Sequence, residues 1–163
     1  MDPVKSSITI GRPREEIFDY LADIANHPEF SDHYLKDWHL TRLDSVGRGA
    51  GARFRYDRRF DRFGWADMTF IEVDRPYRIV AVGRGGKFNR NKTYTTWTLT
   101  PSGGGTQVEY TTEIEPKLRT DRIMEAFGLR RWFRRNGRKA LQRLQSILEE
   151  DHDRGKRATV AGV

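Results

Sequence analysis

Hydrophobic and polar positions set a period of two in the first strand and from Trp38 to Glu115, with a short helical stretch between, and a period near 3.6 beyond Pro116. From Val4 to Ile10, Val4, Ser6, Ile8 and Ile10 alternate with Lys5, Ser7 and Thr9, which predicts a half-buried strand. Arg12-Pro13 ends it. Pro13 then suits the first turn of a helix in which Ile17, Phe18, Leu21 and Ile24 recur at helical spacing. That helix should stop near Asn26-His27-Pro28, and a second helical turn over Pro28–Tyr34 should precede extended chain at Trp38. Ala52, Phe54 and Tyr56 alternate with Arg53, Arg55 and Asp57, and Val108, Tyr110, Thr112 and Ile114 with Gln107, Glu109, Thr111 and Glu113. Each pattern is that of a strand with one wet face. Turn clusters fall at strand-length spacing (47–51, 63–64, 74–76, 83–86, 101–105), so Trp38 to Glu115 reads as a six-strand antiparallel meander.

After Pro116 one helical face collects Ile123, Ala126, Phe133, Gly137, Ala140, Leu141, Leu144 and Leu148. The opposite face collects Arg131, Trp132, Arg135, Arg138, Lys139 and Arg143. The spacing predicts one amphipathic helix from about Thr120 to Glu150, roughly 45 Å long, enough to cross a whole sheet. Residues 1–150 are therefore expected to form a single α+β domain, and residues 151–163 a polar, unpatterned, disordered tail.

Composition narrows the chemistry. The 163 residues contain no cysteine, which removes disulfides, thiolate nucleophiles and Cys-ligated metal. His27, His33, His39 and His152 make no i, i+4 pair, so no metal or other cofactor is expected. No apolar run is long enough to span a membrane, and the first residues lack a signal-peptide core; a cytoplasmic location is expected. The net charge of +7 sits in one place, because between Lys117 and Arg143 basic residues outnumber acidic ones by ten to two. An electrostatic partner, whether nucleic acid or an anionic membrane, would have to meet that segment.

The stretch from Ile10 through Glu15-Glu16-Ile17-Phe18 and Asn26-His27-Pro28-Glu29 to Phe30 resembles the opening of the START-like, Bet v 1-related (SRPBCC) superfamily, especially its polyketide cyclase/dehydrase and lipid-transport branch. Phe63-Gly64-Trp65, Trp97-Thr98-Leu99-Thr100-Pro101 and the tail Glu150 to Arg157 agree with it. The resemblance implies a helix-grip fold, in which a curved antiparallel sheet of about seven strands surrounds a long C-terminal helix, with two short helices after the first strand. It also implies an internal cavity for a hydrophobic or polyaromatic small molecule; a monomer or homodimer is expected.

Candidate cavity residues are Phe54, Tyr56, Trp65, Thr69, Trp97, Tyr110, Phe133, Gly137 and Leu141. By the resemblance, Tyr34 occupies the place of a pocket tyrosine of aromatase/cyclase members, and Thr69 stands where those members carry an inward arginine. Arg130 and Arg134, at the border of the apolar helix face, are the candidate replacements for that cation. Asp67, on the sheet face of Trp65 and Thr69, is a candidate base or ion-pair partner of Arg130. Gly83-Arg84-Gly85-Gly86-Lys87 lacks the P-loop pattern and reads as a loop between strands. Two expectations follow: a binder of an apolar ligand, or an active polyketide cyclase/dehydratase using Tyr34 with Arg130 or Arg134. A third, through the basic helix, is a non-enzymatic binder of RNA or anionic membrane.

Overall fold

The computed structural model describes residues 2–59, 62, 64–115 and 128–162. Strand β1 (Val4–Ile10) leads into α1 (Arg14–Leu21), a 3₁₀ turn (Ile24–Asn26) and α2 (His27–Ser31). The meander follows as β2 (Leu35–Leu40), β3 (Gly51–Tyr56), β4 (Trp65–Asp74), β5 (Arg78–Gly85), β6 (Asn91–Ser102) and β7 (Gly105–Glu115). Helix α3 (Leu129–Glu150) completes it. Glu15 and Glu16 in the first turn of α1 complement the positive end of that helix, while Ile17, Phe18 and Leu21 are buried.

All seven strands join one antiparallel sheet in the order β1-β7-β6-β5-β4-β3-β2, curled around α3 as a half-barrel, so the architecture is the expected α+β helix-grip. β1 closes on β7 through the register Val4↔Thr112 to Ile10↔Thr106. Irregularities at Lys36/His39 and Phe70/Glu72 bend β2 and β4.

Helix α3 runs for 22 residues, about 33 Å. Gly128 precedes it with φ +110°, a conformation no helical residue adopts, so the helix begins at Leu129. The expected start near Thr120, with Ile123 and Ala126, lies outside the described residues. Phe133, Gly137, Ala140, Leu141, Leu144 and Ile147 face the sheet, each large apolar side chain contributing about 1.5–3 kcal/mol by burial. Gly137 lets the helix close on β7, since a Cβ there would stand 3.3 Å from the Tyr110 ring.

Two expectations about charge and order are corrected. Arg143, assigned by spacing to the wet face, is buried: it pairs with Asp32 and Asp153 and donates to the Glu29 and Asp153 carbonyls. The tail is not frayed. Gly155 N–H donates to Glu29 O at 2.9 Å, Ala158 N–H to Ala25 O at 2.9 Å, and Leu40 N–H to Thr159 O at 2.8 Å. Arg154 meets the buried Glu29 carboxylate at 2.6 Å, and Arg157 meets Asp23 at 2.9 Å and the Asn26 side chain. Gly155 lets the strap run close to α2: a Cβ there would lie 2.5 Å from an Asp32 oxygen and 3.1 Å from the Glu29 backbone, so the Asp32 side chain would have to move. The strap holds because its arginines reach acids that α2 and the turn before it supply. Among the described residues no helix is long and apolar enough to cross a membrane.

Candidate functional site

Between the concave sheet face, α2 and α3 lies a narrow cavity, with only about 20 Å³ open to the centre of a water molecule. That is the room of one water. Helix α2 supplies one wall, because His27, Phe30 and Ser31 fall at i, i+3 and i+4 and so share a face, and Tyr34 joins them from the turn that follows. Trp38 and Leu35 from β2, Met68 from β4, Trp97 from β6 and Tyr110 from β7 line the sheet side, and Ala140 and Leu141 of α3 close it. Trp97 and Tyr110 are cross-strand partners with rings 5.5 Å apart. None of these lining residues carries a formal charge.

Tyr34, Trp97, Tyr110 and Leu141 are among the residues that line the cavity. Tyr34 is buried, its hydroxyl 3.4 Å from that of Tyr110 and its ring edge-on to Trp132. Burial first, then the Tyr110 hydroxyl, pushes the Tyr34 phenol well above its ordinary range. It is therefore fixed as a proton-bearing group that donates or shares a hydrogen bond. Phe54 packs on Trp38 at 4.6 Å and on Tyr56 at 5.6 Å, and Tyr56 packs on Trp132 and Phe133, each at 5.9 Å. These form an aromatic layer beside the cavity. Phe133 belongs to a second apolar cluster with Val4, Ile114 and Leu129, while Gly137 sets the approach of Tyr110.

The expected inward face of β4 is the wrong one. Ala66, Met68 and Phe70 point inward and are buried, whereas Trp65, Asp67 and Thr69 lie on the outer face. Both sets contain large apolar groups, and a one-residue choice of register exchanges them. Trp65 sits under the Arg53 guanidinium at 5.5 Å. Thr69 lines a shallow outer groove with Val82, Arg84 and Tyr94. Asp67 accepts the Arg84 backbone N–H at 2.9 Å on that same side, so it can be neither a cavity base nor a partner of Arg130. Gly83, Arg84 and Gly85 belong to β5 rather than to a loop.

The two arginines proposed to reach inward do not. Arg130 pairs with Asp2 at 2.8 Å, and Arg134 is exposed on the outer side of α3. Arg130, Arg131, Arg134, Arg135 and Arg138 instead line one open surface groove. The cation that an enolate-stabilising site would need is not among the described cavity residues.

His27 escaped the sequence reading as a site member. His27 is enclosed by Phe30, Trp38, Phe70 and Trp97, at ring distances between 4.9 and 6.5 Å. Its Nε2 lies 2.8 Å from the carbonyl of Leu21, one of the unpaired acceptors at the end of α1. Burial lowers its pKa to about 4, so the ring is neutral near pH 7. The i, i+3, i+4 spacing of His27, Phe30 and Ser31 was the available signal. His33 sits 3.2 Å from Arg143 and 3.3 Å from the Asn136 carbonyl, and burial lowers its pKa to about 4 as well. Among the described residues no cluster of three or more His, Asp or Glu is placed to hold a metal.

A curled seven-stranded sheet gripping a long C-terminal helix defines the helix-grip fold as the structural class. The sequence profile described as polyketide cyclase / dehydrase and lipid transport matches residues 1–149, and the chain belongs to that family. No curated protein matches the chain by sequence. Among solved structures it is similar to the KanY protein, with TM-score 0.73 and 15% identity over 90% of this chain and 97% of that one. Norcoclaurine synthase from Thalictrum flavum, solved with dopamine and hydroxybenzaldehyde, gives TM-score 0.68 and 16% identity over 93% and 87%. DynU16, from the dynemicin biosynthetic locus, gives 0.64 and 16% over 95% of this chain and 50% of that one. At these identities the likeness is one of fold.

Proposed function

We propose that the protein binds a hydrophobic or polyaromatic small molecule, of lipid or polyketide type, in the cavity between the sheet, α2 and α3. The single observation that carries this is a lining of neutral, mainly aromatic side chains with the Tyr34 and Tyr110 hydroxyls turned to each other inside it. Few convergent polar groups in an apolar concavity is the usual make-up of a small-molecule site. Family membership supports it, as does the small-molecule chemistry of norcoclaurine synthase on the same fold. Because the open space is that of one water, a ligand must displace side chains on entry, and Phe30, Leu35, Met68 and Leu141 are the large lining residues with no side-chain hydrogen bond to re-pair. Native mass spectrometry of the purified protein, followed by Trp97 fluorescence titration with fused-ring aromatics, tests this. A retained or added ligand that quenches wild type, and quenches Trp97→Phe less because only Trp38 then remains on the wall, is expected; no retained mass and no saturable quenching would refute it.

A cyclase reading keeps Tyr34 as a donor but has lost Asp67, Arg130 and Arg134 from the interior, so binding without turnover is the expected behaviour. The exposed row Arg131, Arg134, Arg135 and Arg138 favours a second, separable role in docking on an anionic bilayer, each such residue being worth about 1 kcal/mol near a charged surface. Vesicle co-sedimentation should fall as salt rises. Changing Arg131, Arg135 and Arg138 together to Gln should abolish it; equal sedimentation of that variant removes the role.

A further inference from the structure

We propose that Nδ1 of His27 accepts a hydrogen bond from a hydroxyl of the cavity's ligand, so that the site selects neutral hydroxylated aromatics, phenols or enols, over carboxylates. This rests on the cavity reading above and adds the ligand's polar chemistry to it.

His27 is 2% exposed and forms part of the cavity wall. A carbonyl can only accept, so Nε2, at 2.8 Å from Leu21 O, must carry the ring proton. In the neutral ring that leaves Nδ1 as a bare lone pair, and no described residue donates to it. Closing the end of α1 accounts for Nε2 and leaves Nδ1 without a task. A buried acceptor with no partner is unfavourable in the empty site and gains a bond when a donor arrives.

The other polar atoms on the concave side point to the same kind of molecule. The Tyr34 and Tyr110 hydroxyls are 3.4 Å apart, longer than a usual O–H···O bond, so the pair has a proton to offer a ligand carbonyl or ether. Thr112 Oγ1, two residues along β7 from Tyr110 and on the same face, is buried without a partner. Every one of these groups is uncharged. A carboxylate would enter an apolar enclosure with no cation among the described lining residues and would keep its full desolvation cost. A phenol brings the donor that Nδ1 lacks and no charge.

The test uses the full chain labelled with ¹⁵N-histidine and three probes of one ring size: 2-naphthol, naphthalene and 2-naphthoate, at neutral pH. We expect 2-naphthol to bind about tenfold tighter than naphthalene, the value of one added buried hydrogen bond. The His27 Nδ1 resonance should move with naphthol and stay in place with naphthalene, and naphthoate should bind more weakly than either. His27→Phe should bring naphthol down to the affinity of naphthalene. Should that variant fail to fold, the wild-type resonance still decides. Equal affinities for naphthol and naphthalene, an unmoved Nδ1 signal at saturating naphthol, or preference for naphthoate would each overturn the inference while leaving the cavity intact. Binding of none of the three would overturn the cavity reading, and this inference with it.

Discussion

Replacing Arg154 by Met should destabilise the protein by about 2 kcal/mol. The reason lies in Glu29, whose side chain is 2% exposed and whose carboxylate meets Arg154 at 2.6 Å and the Tyr20 hydroxyl at 2.9 Å. Breaking a fully buried ion pair from one side costs about 3–5 kcal/mol, because the remaining charge is stranded. Arg154 is itself 41% exposed, so water reaches the vacated position and reduces the penalty toward the lower end or below it. For a chain of this size that corresponds to a fall in Tm of about 4–8 °C. Urea denaturation with an unchanged m-value is the proper assay, since the surface exposed on unfolding should not change. Glu29→Gln placed on top of Arg154→Met should restore part of the loss by removing the stranded charge. If Arg154→Met stays within about 0.5 kcal/mol of wild type, the strap does not hold α2 and the reasoning fails.

Gly137→Leu should abolish binding of a fused-ring ligand at a stability cost of about 1–3 kcal/mol, because its Cβ alone would stand 3.3 Å from the Tyr110 ring and the rest of the side chain drives that ring into the cavity; wild-type affinity in a fluorescence titration would place the ligand elsewhere. Acid should weaken the fold through His27. With a folded pKa of about 4 against 6.5 unfolded, the unfolded chain takes up the proton first, so stability is unaffected above about pH 6.5 and declines by roughly 3 kcal/mol as pH falls to about 4. His33, shifted in the same direction, adds to it. Urea midpoints at pH 7 and pH 4.5 measure this, and equal midpoints would contradict the burial of a neutral ring.

Much of the fold was legible because alternation and turn residues agree along the chain. Val4 to Ile10, the meander and the Phe133–Gly137–Ala140–Leu141–Leu144 stripe all occupy the places their periods imply. Trp97, Tyr110 and Leu141 lie on the concave side by that same periodicity, whereas Tyr34 was singled out by the resemblance alone. β4 misled because Trp65-Ala66-Asp67-Met68-Thr69-Phe70 offers apolar bulk on both faces, and only pairing with β3 and β5 chooses between them. Arg143 misled because helical spacing records angle, not the acids that other segments bring up to it; Asp32 and Asp153 are remote or unpatterned in sequence. The tail has no periodicity at all, since its hold comes from three backbone hydrogen bonds and the contacts of Arg143, Arg154 and Arg157. His27 gave no sign of its environment because its enclosing rings come from β2, β4 and β6 as well as from its own helix.

The place of β1 beside β7 also governs when this protein can finish folding. Lys5 and Glu109, paired across that seam, are 104 positions apart in sequence. During synthesis the first strand therefore emerges with its partner still unmade, and Ile8 and Ile10 must wait until nearly the whole meander has been translated. Helix α3, which packs on β1, leaves the ribosome later still. Hairpins from β2 to β6 are local and can assemble early, whereas closing the seam is a long-range step that pays its loop entropy before any contact repays it. A nascent chain halted before Gly105 would thus carry an unclosed concave face with Phe54, Met68, Phe70 and Trp97 open to its neighbours, and that is the species in which aggregation of this protein would begin.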